Sequence, residues 1–314
     1  MTLPRLALAV IGDEIGPSLD EMISFCAEND IRRLDMRTVD GRNLLGMTAA
    51  EVIAISRRLE KAGLSVPTFV SPVMKWAAPG KSPAGGKVDF AFDPATCPAG
   101  DPLDHAIRIA VILGARNMRI FGYLRHDGFR PSDLTGSGGE LEKLLGFANH
   151  YDIALQLENE PVCNIGNVAE LAAFFSVKDR DAEERAIANG ELTEEEVEEA
   201  HTRAPGPVYL RPLIDIGNAW AMGERPSDAD VAALAPLVTA IHLKDRDLTA
   251  GRTVPLGDGN VPWAAELKRL LGGVKTAEVL ASIETHCPQD GRAATARSVA
   301  ALRRIAGEIG VEIV

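Results

Sequence analysis

Eight short apolar runs, each followed by a stretch of helical periodicity, are the feature that most restricts how this chain can fold. The runs are Leu6–Ile11, Ile31–Arg37, Leu64–Val70, Asn117–Gly122, Ile153–Glu158, Tyr209–Asp215, Thr239–Lys244 and Val279–Glu284. Several are continuously apolar, with no strict alternation, as in strands covered on both faces. Strands of that kind need parallel neighbours reached through helical crossovers, so the pattern predicts an α/β fold with a parallel sheet.

The intervening stretches carry helix start signals. Ser18-x-x-Glu21 and Thr48-x-x-Glu51 have the form of capping boxes, and the second run closes near Gly63. Asp101-Pro102 suits a cap followed by proline at the first helical position. Asn167-x-x-Glu170 and Ser227-x-x-Asp230 repeat the grammar less strongly.

Two architectures accommodate eight such units: a doubly wound sheet and a closed barrel. No G-x-G-x-x-G follows the first strand, and acidic or His residues recur at strand C-termini along the chain. Barrel active sites sit at that face, so the reading is one (β/α)8 TIM-type barrel over residues 1–314. Two segments interrupt the rhythm. Ser71–Pro98, rich in Pro, Gly and Lys, is predicted to be a long loop over the mouth. Residues 177–205, strongly charged, are predicted to be a helical insertion after strand five.

The bulk properties narrow the function classes. Apolar residues make up 46% of the 314 and charged residues 25%, enough to bury a large core. A formal net charge of −12 argues against a nucleic-acid partner. The cysteines Cys26, Cys97, Cys163 and Cys287 show no C-x-x-C spacing, which argues against a zinc knuckle. Scattered thiols suggest a cytoplasmic protein. The apolar run after Met1 is too short for a membrane span.

Four strand ends carry hard or borderline ligands: Glu158, Asp215, His242 and Glu284. Acidic residues are depleted in strands, so their recurrence after apolar strand cores needs a reason. In a barrel these four strands are consecutive, and their ends converge on one side of the mouth. Three carboxylates and one imidazole suit a single divalent ion: Mn²⁺, Mg²⁺, Co²⁺, Fe²⁺ or Zn²⁺. Glu160 shares a face with Glu158 and is the alternative ligand if the register is shifted.

Side chains two apart on a strand share a face, which puts Lys244 with His242 and His286 with Glu284. Both are candidate substrate contacts; Asp245 points away and reads as structural. Arg37, at the end of strand two, suits either an anionic substrate group or a salt bridge. Lys75 and Trp76, in the mouth loop, are candidates for covering a substrate. Trp220 and Trp263 read as packing between helices and strands. The Gly257-Asp258-Gly259 segment reads as a turn, since no G-K-S/T follows it.

Leu157-Glu158-Asn159, Asp215-Ile216-Gly217-Asn218, Ile241-His242-Leu243-Lys244-Asp245, Pro255-Leu256-Gly257-Asp258-Gly259 and Ile283-Glu284 occur in that order and strand context. The chain thereby resembles the sugar phosphate isomerase/epimerase superfamily with the xylose isomerase-like barrel, over nearly its whole length. The resemblance implies that Glu158, Asp215, His242 and Glu284 are metal ligands. It implies a sugar or polyol isomerase or epimerase, with proton transfer next to a carbonyl through an enediolate that the metal stabilises. Glu158 and Glu284 would carry the proton. Many relatives place a His where this chain has Asn218, which is retained as a substrate contact. An inosose dehydratase-like lyase shares the same site design. A non-catalytic sugar-binding barrel is the reading from another class. An endonuclease IV-like activity needs a histidine-rich cluster, and the chain has six histidines in all. The partner implied is a small sugar or polyol. No membrane partner is implied, and homo-oligomers are common among relatives, although no interface is legible here.

Overall fold

The computed structural model describes residues 3–84, 92–135, 138–190, 193 and 209–314. Eight strands form one parallel sheet: β1 (Arg5–Ile11), β2 (Leu34–Asp35), β3 (Thr68–Phe69), β4 (Asn117–Ile120), β5 (Ala154–Glu158), β6 (Leu210–Asp215), β7 (Ala240–Leu243) and β8 (Glu278–Ile283). The ladder runs β2-β1-β8-β7-β6-β5-β4-β3. Its two ends meet through the single bridges Arg33↔Ser65 and Met36↔Phe69. Met36 N–H donates to Thr68 O and Val70 N–H to Met36 O, which closes the sheet into a (β/α)8 barrel. This seam pairs by isolated bridges rather than a continuous ladder, so β2 and β3 are two residues each where the sequence suggested seven.

Helices coat the ring: α1 (Leu19–Glu28), α2 (Ala49–Lys61), α3 (Pro102–Leu113), α4 (Glu140–Tyr151), α5 (Val168–Ala188), α6 (Asp228–Leu234), α7 (Trp263–Leu271) and α8 (Gly291–Ile309). Their apolar stripes face the strands. In α2, for example, Val52, Ile55 and Leu59 are buried. The capping signals act as read. Ser18 and Thr48 form complete capping boxes with Glu21 and Glu51, and the Asp101 carboxylate accepts from Leu103 and Asp104 N–H. The start of the predicted 177–205 insertion continues helix α5; residues 191–192 and 194–208 lie outside the described set, as do 85–91 of the mouth loop.

The core has two compartments. A large outer cluster fills the space between sheet and helices, with Phe25, Phe69 and Phe174 among its fully buried side chains. A small inner cluster of Ala7, Ala9, Leu213, Ala240 and Leu280 fills the barrel axis. The inward positions towards the C-terminal end from this cluster carry buried polar groups, among them Glu158, Asp215 and His242. Among the described residues, no helix is long and apolar enough to cross a membrane.

The α2 cap offers a direct check of this local reading. Thr48→Ala removes the hydroxyl that accepts from Glu51 N–H. Urea unfolding should show a loss of about 1 kcal/mol with an unchanged m-value.

Candidate metal centre

Parallel strands of a closed barrel bring their C-terminal ends together, and four consecutive ends here carry buried candidate ligands. Glu158 ends β5, Asp215 ends β6, His242 lies in β7 and Glu284 follows β8. One ligand atom from each lies within 4.8 Å of the others, and all four residues are almost fully inaccessible. Glu160, the alternative in a shifted register, instead lies 3.3 Å from Lys75.

Each of the three carboxylates is held from outside the cluster, while His242 is held by Glu158 within it. Glu158 Oε2 accepts from Arg119 Nη1 at 3.0 Å, and its Oε1 is 2.8 Å from His242 Nδ1. Asp215 Oδ1 accepts Asn218 N–H at 2.8 Å, which starts the short helix Ile216–Ala221. Glu284 Oε1 meets Arg37 Nη1 at 2.9 Å and His286 Nε2 at 3.1 Å. Lys244 Nζ spans Glu284 Oε2 at 2.7 Å and Asp215 Oδ2 at 3.0 Å.

The electrostatics follow from this mixture of like and opposite charges. Burial opposes ionisation of Glu158, but His242 and Arg119 outweigh it and hold the carboxyl down at about 2. Burial opposes the His242 cation too, yet Glu158 and Glu284 push it up to about 10. Glu284 is held well below the usual carboxylate range, because Lys244 and His286 overcome its burial. For Asp215 burial wins despite Lys244, and its carboxyl rises to about 6.

The donor set fits a divalent ion. Carboxylate oxygens and one imidazole nitrogen are hard-to-borderline ligands for Mg²⁺, Mn²⁺ or Zn²⁺. Asp215 Oδ2 is buried and makes no well-formed hydrogen bond, so it has coordinating capacity to spare. Glu14, Glu284 and His286 also bring ligand atoms within 4.8 Å. The Arg37 guanidinium already links Glu14 and Glu284 there, which disfavours a second cation.

The remaining predicted residues divide by location. Arg37 is buried and bonds to Asp13, Glu14 and Glu284, so the salt-bridge alternative accounts for its three carboxylate contacts. His286, with 29% of its side chain exposed, lines a cavity of about 600 Å³ together with Asp13, Glu14, Arg37 and Thr38. The Asn218 amide donates to Asn159 O at 2.8 Å. Asn159 in turn exchanges two hydrogen bonds with the Asp215 backbone, locking β5 to β6 beside the cluster. Lys75 is buried beside Phe121 and Glu160. Trp76 is buried, with its indole N–H on Glu140 Oε2 at 3.2 Å.

Arg119, Asp13, Glu14 and Asn159 are supports that the sequence reading missed. Arg119 had a signal, since a cation inside the apolar strand Asn117–Ile120 needs an inward partner. Glu14 had none, because its strand-one loop meets Arg37 and Thr285 only in the folded ring. Close approach explains two glycines. A Cβ on Gly217 would lie 2.5 Å from Lys244 Cγ, and one on Gly259 would lie 2.3 Å from Asp245 Oδ1. The Asp245 carboxylate accepts from the N–H groups of Arg246, Gly257, Gly259 and Val261, so it organises the loop after β7.

Residues 23–305 match the family model described as xylose isomerase-like TIM barrel, and the chain belongs to that family. No curated protein matches the sequence. Several solved structures share the fold. An IOLI protein with a bound zinc atom superposes with a TM-score of 0.64 at 12% identity, covering 96% of this chain and 99% of that one. A D-tagatose 3-epimerase-like protein gives 0.60 at 14%, covering 96% and 99%. A xylose isomerase-like TIM barrel protein from Mycobacterium smegmatis, in complex with magnesium, gives 0.57 at 14%, covering 98% of each chain.

Asp35, just outside the cluster, tests the electrostatic balance. Its buried carboxylate accepts from Thr68 N–H and Ser282 Oγ, and burial pushes it up to about 6. A folded carboxyl that protonates more readily than the unfolded one stabilises the fold in acid and loses that contribution as pH rises through about 6. Asp35→Asn should therefore gain stability relative to the parent between pH 4 and 7.5. Denaturant melts should show a gain on the order of 2 kcal/mol.

Proposed function

We propose that this barrel is a divalent-metal-dependent isomerase or epimerase acting on a small sugar or polyol by proton transfer next to a carbonyl. The observation that carries the reading is the convergence of Glu158, Asp215, His242 and Glu284, one ligand atom from each within 4.8 Å, at the C-terminal end of the barrel. A divalent ion held there supplies Lewis-acid polarisation of a substrate oxygen.

The chain's own groups do the rest. Glu158 and Glu284 are both held as carboxylates at neutral pH, so either can take a proton from carbon. They project from β5 and β8, which lie three places apart in the ring. Removal on one side and return on the other inverts a centre; removal and return at neighbouring carbons isomerises. Arg119 holds Glu158, while Arg37 and His286 hold Glu284, which keeps each base in position without neutralising it. Lys244, a buried ammonium 2.7 Å from Glu284, can donate a proton or hydrogen bond to a substrate oxygen.

That ammonium also supports the second reading, a lyase of the inosose dehydratase kind. The first proton abstraction is common to both, and a nearby acid assists departure of a hydroxyl. The product distinguishes them.

The test begins with metal content. After loading with Mn²⁺ or Zn²⁺ and desalting, elemental mass spectrometry should find about one ion per chain, lost in Glu284→Gln and His242→Ala. The loaded enzyme is then assayed on ketoses, inososes and keto acids. Glu158→Gln should lower kcat at least ~100-fold while leaving the circular dichroism spectrum unchanged. Retained metal with no turnover across the panel would favour a sugar-binding barrel instead.

A further inference from the structure

The N-terminal end of the barrel, opposite the metal centre, holds a second polar pocket. Inward-facing residues alternate along each strand, so Arg211 shares the face of Leu213 and Asp215. Leu213 belongs to the small apolar cluster on the barrel axis, which places Arg211 on the other side of that cluster from Asp215. A cavity of about 400 Å³ opens there, lined by Arg116, Asn117, Asp152, Tyr209, Arg211 and Thr239 among others.

The polar groups around this cavity are short of partners. Arg37 and Arg119, the buried arginines at the mouth, each meet carboxylates. Arg211 is half-buried and has no carboxylate partner among the described residues, and burial works against its cation. Thr239, which lines the cavity, has its Oγ1 without a hydrogen-bond partner. Arg116 is already matched by Asp152 at 2.7 Å, so among the described residues the charged groups lining the pocket sum to one positive charge, that of Arg211.

Leaving a hydroxyl buried without a partner, and a guanidinium half-buried without a counter-charge, is costly. One small ligand would satisfy both: an anion with two or more acceptor oxygens, which suits the fork of a guanidinium. We infer that the N-terminal end of the barrel binds a small oxyanion, a phosphate or a short carboxylate, held by Arg211 with Thr239. The site lies across the apolar cluster from the metal centre and does not depend on the reaction proposed for that centre.

The experiment is a titration of the full-length protein with inorganic phosphate, and separately with acetate, against chloride at matched ionic strength. Thermal melting and the arginine Nε–H signals in NMR are followed together. Phosphate, acetate or both should raise the melting temperature of the parent and of Glu284→Gln alike, and should shift one arginine signal that is missing from Arg211→Met. Which anion acts identifies the oxyanion class. Arg211→Met should weaken the response at least ~10-fold. In chloride it should melt at or above the parent, because an unmatched charge has been removed. Thr239→Val, which keeps Arg211, should weaken the response partially and provides a second variant if Arg211→Met does not fold. An equal response in parent, Arg211→Met and Thr239→Val would overturn the assignment. So would a response abolished by Glu284→Gln, which would place the anion at the mouth, or no response to either anion.

Discussion

Like-charge crowding at the barrel mouth is the constraint around which this molecule is arranged. Glu158, Asp215 and Glu284 bury three carboxylates within a few ångströms, and a low-dielectric interior magnifies their repulsion. The structure answers with cations from elsewhere in the ring. Arg119 comes from β4, Arg37 from the end of β2, and His242 and Lys244 from β7 and its C-terminal end. Asp13 and Glu14 then balance Arg37. Removing one member leaves the others unmatched, so the network behaves as a unit. The cluster could hold a divalent cation, for which Asp215 Oδ2 is left without a hydrogen bond.

The barrel makes that crowding possible, and the loops keep it in register. Asn159 and Asn218 bind the backbones of β5 and β6 to each other beside the ligands. Asp245 gathers four N–H groups of the segment after β7 and holds it against the mouth. Gly217 and Gly259 are small because Lys244 and Asp245 come close to their backbones. Met74, Tyr123 and His286 adopt left-handed backbone, with φ of 62°, 60° and 47°. All three lie in segments that follow strand C-termini, where binding surfaces concentrate and local strain is tolerated.

Much of this was legible in the chain itself, for reasons that differ by residue. Strand positions could be read because both faces of a barrel strand are covered, which leaves continuous apolar runs. Helix starts could be read because Ser18, Thr48 and Asp101 satisfy local N–H groups within three residues. The candidate metal ligands stood out because a carboxylate or imidazole at the end of an apolar strand is unusual. Other features had a local signal that was passed over. Asp40-Gly41 is a hairpin turn with both φ values positive, joining Thr38–Val39 to Arg42–Asn43. Arg119 within β4 announced a buried partner.

The sequence by itself determined the order of strands and helices, the face each ligand takes, and the identity of the four metal-ligand candidates. Those depend on periodicity and on contacts within a few residues, which are written along the chain. Tertiary structure alone decided which charges meet. The Arg37–Glu284 pair joins residues 247 apart, and Thr285–Glu14 joins residues 271 apart. Only the tertiary structure sets the closure of the ring at Met36 and Phe69, the engagement of Arg37 by three carboxylates, and the place of Arg211 at the far end of the barrel, without a carboxylate partner among the described residues. The physical reason is that Coulomb energy and desolvation depend on distance in space and on burial. Neither is defined for a position until the barrel has closed around it.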